Sequence, residues 1–122
     1  MILFFLKKEE IDEREYNLVI YVKKDVNNKG ELFEMFSSKL QFPTYFGKNW
    51  DAFYDCLCNL DHIHEKKILI LHEDLPFKEP EERKIYIDLI LDFESSFSLD
   101  QNYKVDIAFP LTQKDKIINR KM

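Results

Sequence analysis

Two aspartates four residues apart, Asp51 and Asp55, stand in the stretch Asn49-Trp50-Asp51-Ala52-Phe53-Tyr54-Asp55-Cys56-Leu57. Trp50, Phe53, Leu57 and Leu60 recur there at three- and four-residue spacing, the pattern of a helix with one buried face. On that helix the two carboxylates project side by side, an arrangement that costs about 0.3 kcal/mol. An acid in the first turn gains from the helix dipole, which accounts for Asp51. Asp55 lies in the second turn, where that benefit has decayed, and Asp is a weak helix former. A cationic partner would offset the cost. An ionised carboxylate only accepts hydrogen bonds and takes bidentate ones from arginine, as a phosphate does.

Other constellations compete with this pair. Asp51 and Asp55 could act as general acid and base in a pocket, but a convex helix is the wrong place for that chemistry. Cys56-x-Cys58-x3-His62-x-His64 has zinc-ligand types, yet cysteines two apart on a helix splay and the usual two-residue gap is missing. No metal is expected. A cysteine–histidine nucleophile would need Cys56 or Cys58 exposed beside a histidine, and no spacing requires it. His62, His64 and His72 read as surface or pre-strand residues. With only two glycines, Gly30 and Gly47, there is no phosphate-cradling loop, so no nucleotide cofactor is expected.

The elements that must position the aspartates follow in chain order. Pro43 opposes helix before the motif, Gly47 suits a sharp turn, and Asn49 is the expected N-cap. Upstream, the nearly continuous apolar run Asn17 to Val22 reads as a strand buried on both faces and central in a parallel sheet. A turn over Lys24 to Gly30 leads to a helix with Leu32, Phe33, Phe36 and Leu40 as its apolar stripe. Downstream, Ile68 to Leu71 forms a second strand. Pro80-Glu81-Glu82 opens another helix whose broad apolar face is Ile85, Leu89 and Phe93 with Tyr86, Ile90 and Phe97. Lys104 to Phe109 is the last strand, stopped by Pro110, and the basic tail from Thr112 to Met122 is expected to fray. Lys114, Lys116, Arg120 and Lys121 in that tail could touch nucleic acid or lipid, though such charges are more often solvated. Strands alternating with helices imply right-handed crossovers. The expected fold is α/β, a small three-stranded parallel sheet packed with helices. The opening Met1-Ile2-Leu3-Phe4-Phe5-Leu6 is expected to add a strand or cover one end of the core.

The order Phe46-Gly47-Lys48-Asn49-Trp50-Asp51-Ala52-Phe53-Tyr54-Asp55-Cys56-Leu57 resembles the signature of the barstar family, intracellular inhibitors of secreted ribonucleases. The resemblance is densest over Phe42 to Leu60 and extends from about Asn17 to Phe109. It implies a three-stranded parallel sheet with helices packed on it, and inhibition by occlusion, with carboxylates taking the place of substrate phosphate. Carried over by position, Asp55 matches the acid that enters deepest into the ribonuclease site. Asp51 matches the supporting acid one turn earlier, and Tyr45 the aromatic that lies against the catalytic histidine. Gly47 and Asn49 match the turn and helix entry. Tyr54 stands where the best-studied member has a Trp contact, and Asn59 and Leu60 stand at rim positions. Lys48 departs from the pattern by placing a cation near the acidic face. Glu94 is a candidate for a further acidic contact from the third helix.

Composition is consistent with such a role. The chain has 122 residues, 45% of them hydrophobic, which fits one compact domain over 1–122 with its core at about 17–109. Its formal charge of −5 disfavours nonspecific nucleic-acid binding and favours a basic protein partner. Cys56 and Cys58 are too close on a helix to pair, which fits a reducing cytoplasm. The opening run lacks a basic leader and a cleavage site, and no run spans a bilayer. The resulting expectation is a cytoplasmic, non-enzymatic inhibitor, monomeric when free, of a basic ribonuclease toxin. The alternative on the same fold is a regulatory adaptor for a partner that is not a nuclease.

Overall fold

Short, largely apolar runs make the strands. The computed structural model describes residues 1–43, 48–60, 67–96 and 103–118. Strands β1 (Ile2–Phe5), β2 (Leu18–Val22), β3 (Lys67–His72) and β4 (Lys104–Pro110) form one sheet in the order β1-β4-β3-β2. Every neighbouring pair is parallel, with Ile20 opposite Ile70, Ile70 opposite Ile107, and Ile2 also opposite Ile107. The three expected strands are present, and the N-terminal apolar segment adds the fourth at one edge.

The order corrects one expectation. β2 is an edge strand and not a central one, and Tyr21 on it is 40% exposed. Its apolar run is explained by cover on both faces. Ile20 and Val22 enter the main core, while Val19 packs with Phe5, Leu69, Leu71, Ala108 and the N-terminal residues Ile11 and Tyr16 in a second cluster on the far face. Tyr16 donates its hydroxyl to Asp106 at 2.7 Å and so ties that cover to β4.

The helices α1 (Lys29–Leu40), α2 (Trp50–Cys58) and α3 (Pro80–Ser95) bury their apolar sides in the main cluster with the near face of the sheet. α1 buries Leu32, Phe33, Phe36 and Leu40, the stripe read from its spacing, and ends at Gln41 in the left-handed conformation. Asn28 caps it through the Glu31 amide at 2.8 Å. α3 starts with Pro80 behind the Glu79 cap, as its composition predicts. Its buried residues are Tyr86, Ile87, Ile90 and Phe93, whereas Ile85 is exposed and Leu89 half-buried. The apolar face is therefore turned from the expected one; Phe97 lies outside the described residues.

Two more findings revise the reading. The tail is anchored as far as Ile118: a 3-10 turn (Leu111–Gln113) leads into a short helix α4 (Lys114–Ile118), and Ile117 is buried against the core. Gln113 adds a hydrogen bond to Asp74 at 3.1 Å. His72 is neither surface nor pre-strand. It ends β3 with no exposed area, as the buried polar residue of a core otherwise built of apolar side chains among the described residues.

Candidate functional site

Trp50 fixes the start of α2. Its ring meets Phe33 at 5.2 Å, Phe53 at 5.9 Å and Phe77 at 5.8 Å, all edge to face. The indole N–H donates to Glu82 of α3 at 3.2 Å. Edge-to-face packing with a satisfied indole is the favourable state for a half-buried tryptophan, and here it locks α2 to both neighbouring helices. Phe53 and Leu57 continue the buried face one and two turns on.

Asn49 is the N-cap, its side-chain oxygen accepting from the Ala52 amide at 2.8 Å. The left-handed residue before it is Lys48, at φ 54°, an uncommon conformation for a side chain with a Cβ. The turn function expected of Gly47 falls, with Tyr45, outside the described residues. Asn49→Ala is expected to destabilise the protein by about 1 kcal/mol, with a matching drop in the urea midpoint and no change in slope.

With the buried face fixed, Asp51 and Asp55 are exposed and Tyr54 is half-buried beside them. No salt bridge among the described residues engages either aspartate. Asn59 is exposed at the end of α2 and its amide donates to the Asp55 carbonyl at 2.9 Å. Leu60 differs. It is 1% exposed within the main core, so its side chain offers no contact surface.

The structure adds two acids that sequence reasoning missed. A groove of about 710 Å³ runs between α2 and α3, bordered by Asp51 and Asp55 on one side and Asp88 and Asp92 on the other. Trp50, Tyr54, Ile85 and Leu89 supply its apolar lining. Asp88 and Asp92 are again four apart, so they share one flank of α3. Glu94, two residues on, is turned away: its carboxylate lies 3.5 Å from the Met1 amine at the start of β1. Glu94 therefore does not line this groove. The signal available in the sequence was the second i, i+4 aspartate pair.

Among the described residues no group of three or more His, Cys, Asp or Glu side chains could hold a metal ion. Burial pushes the Cys56 thiol up, with the Asp55 charge adding to it. Burial likewise raises Cys58, and outweighs the downward effect of a hydrogen bond from Tyr54. Both are protonated thiols at neutral pH, the poorer nucleophilic form. His62 and His64 lie outside the described residues.

The model of one family, Barstar (barnase inhibitor), matches residues 17–110. The chain belongs to the barstar family. The match runs from the residue before β2 to the last residue of β4, so it includes α2 and its aspartates and α3 with its own. β1 and α4 lie outside the matched residues. Among curated proteins, none matches the chain significantly.

Proposed function

We propose that the protein is a cytoplasmic inhibitor, not itself an enzyme, that neutralises a basic ribonuclease toxin as an immunity protein or antitoxin. The observation that carries this reading is the groove between α2 and α3. Four aspartates border it, no cationic side chain lines it among the described residues, and its walls are held by the Trp50 cluster. A ribonuclease site must hold phosphate with cationic groups, and a fixed array of carboxylates is its electrostatic complement. Asp55 and Asp51 oppose the catalytic cations, while Tyr54 and Asn59 flank them; Tyr45 and Gly47 complete the surface by resemblance to the family. Leu60 is left out because it is buried, and Asp88 and Asp92 take the part considered for Glu94. The barstar family, named for barnase inhibition, supports the class of partner.

The test is titration of the purified protein into the ribonuclease encoded beside it, with RNA cleavage as readout. Stoichiometric loss of cleavage with wild type, and none with Asp51→Ala, Asp55→Ala, is the expected result. Full activity at excess inhibitor would refute the reading.

The α3 acids have a separable role at the border of the groove. Asp88→Asn with Asp92→Asn is expected to lower the association rate severalfold at low ionic strength and to flatten its salt dependence. The dissociation rate should change less, because border charges act mainly by steering. Stopped-flow association at several salt concentrations measures both.

A further inference from the structure

The other flank of α3 carries the opposite charge. Lys78 before the helix, Arg83 and Lys84 in its first turns, and Lys116 on α4 all line one groove of about 390 Å³, with Asp115 as its single acid and Pro80 and Ile87 as apolar lining. A chain of formal charge −5 thus gathers four cations from two segments distant in sequence, residues 78–84 and Lys116 of α4. It is the anchored α4, through buried Ile117, that brings Lys116 against α3.

No salt bridge among the described residues engages any of these four cations. The helix terminus itself is spent, since Glu79 accepts from the Glu81 and Glu82 amides at 3.1 and 2.8 Å. Glu82, the acid nearest in sequence to Arg83, is turned to Trp50 on the far flank. Arg83 Nε donates to the Pro76 carbonyl at 3.3 Å, which orients the guanidinium and leaves its terminal N–H groups for a ligand. Arginine beside clustered lysines recognises phosphate oxygens, and contiguous phosphates match several cations in a small groove.

We propose that this groove binds a short polyphosphate chain, free or carried by a small nucleotide, with Arg83 as the bidentate contact and Lys78, Lys84 and Lys116 as point charges around it. A short polyphosphate fits better than a nucleic-acid strand because the groove is short and no aromatic side chain lines it for base stacking. The site lies on the opposite flank of α3 from the aspartates, so it does not depend on the ribonuclease reading and both surfaces can be filled together.

The probes are ATP, inorganic tripolyphosphate and a short single-stranded RNA, each titrated into the full chain by calorimetry and by backbone amide shifts. The expected result is ATP and tripolyphosphate binding with shifts confined to residues 78–84 and 114–117. Lys84→Ala with Lys116→Ala should weaken it about tenfold, and so should raising the salt to physiological strength. Lys23→Ala with Lys24→Ala, at a different groove, should leave it unchanged, and melting temperatures confirm that each variant is folded. No shift at those residues with either ATP or tripolyphosphate at millimolar concentration would overturn the proposal. So would RNA binding more tightly than ATP at equal phosphate concentration, which would assign the groove to a nucleic-acid backbone.

Discussion

Asp55→Ala is expected to weaken ribonuclease binding by roughly 3 kcal/mol, about a 150-fold rise in Kd, as expected when one partner of a desolvated charge pair is truncated. The free protein predicts little else from this change. Asp55 is exposed, has no salt bridge among the described residues, and lies four residues from Asp51. Its removal relieves repulsion and should leave stability within about 0.5 kcal/mol of wild type. The Asn59 bond to the Asp55 carbonyl survives, since it uses main chain. Affinity loss without stability loss separates a contact residue from a structural one. Asp55→Asn keeps the shape and removes the charge. If charge pairing is the mechanism, Asn should lose nearly as much affinity as Ala, whereas a shape effect would leave Asn near wild type. Calorimetric titration of both variants decides between these, and affinity equal to wild type in both would remove Asp55 from the interface.

How far this site could be read from sequence depends on how local its causes are. The α2 face, the Asn49 cap and the exposure of Asp51 and Asp55 follow from helical period and capping chemistry within a dozen residues, and the structure agrees. α3 was harder because apolar residues occupy 85, 86, 87, 89, 90, 91 and 93, nearly encircling the helix. Only packing against α2 and the sheet selects Tyr86, Ile87, Ile90 and Phe93. That same rotation decides which acids border the groove beside α2, so the difference in the stripe and the presence there of Asp88 and Asp92 without Glu94 have one origin. The edge position of β2 was hidden for another reason. A run such as Leu18 to Val22 records that both faces are covered, not what covers them, and here part of the cover is the N-terminal segment.

His72 is the clearest non-local case, and it carries the second large prediction. Its partners are Tyr86, fourteen residues on, and the main chain of Ala108. The Ala108 carbonyl can only accept, so Nδ1 carries the proton and donates to it at 3.0 Å. Nε2 then accepts from the Tyr86 hydroxyl at 2.6 Å. The ring stacks on Phe109 with centroids 4.3 Å apart. Burial lowers its pKa to about 4, against the partial support of the Ala108 carbonyl, while burial also keeps the Tyr86 phenol neutral. In the unfolded chain the imidazole titrates near its ordinary 6.5. Between those values the unfolded state binds more protons than the folded one, so stability is full above about pH 6.5 and declines as pH falls toward 4. A shift from 6.5 to about 4 corresponds to roughly 3 kcal/mol lost across that window. Urea unfolding at a series of pH values should show this decline. Carboxylates contribute their own slope, so the informative quantity is the difference from His72→Phe combined with Tyr86→Phe, which removes both the titrating ring and the hydroxyl it would strand. The double variant should lose most of the slope between pH 4 and 6.5, whatever its absolute stability. Equal slopes in the two proteins would mean that His72 takes up its proton without unfolding the core, a result that ring resonances titrating near 6.5 in the native state would show directly.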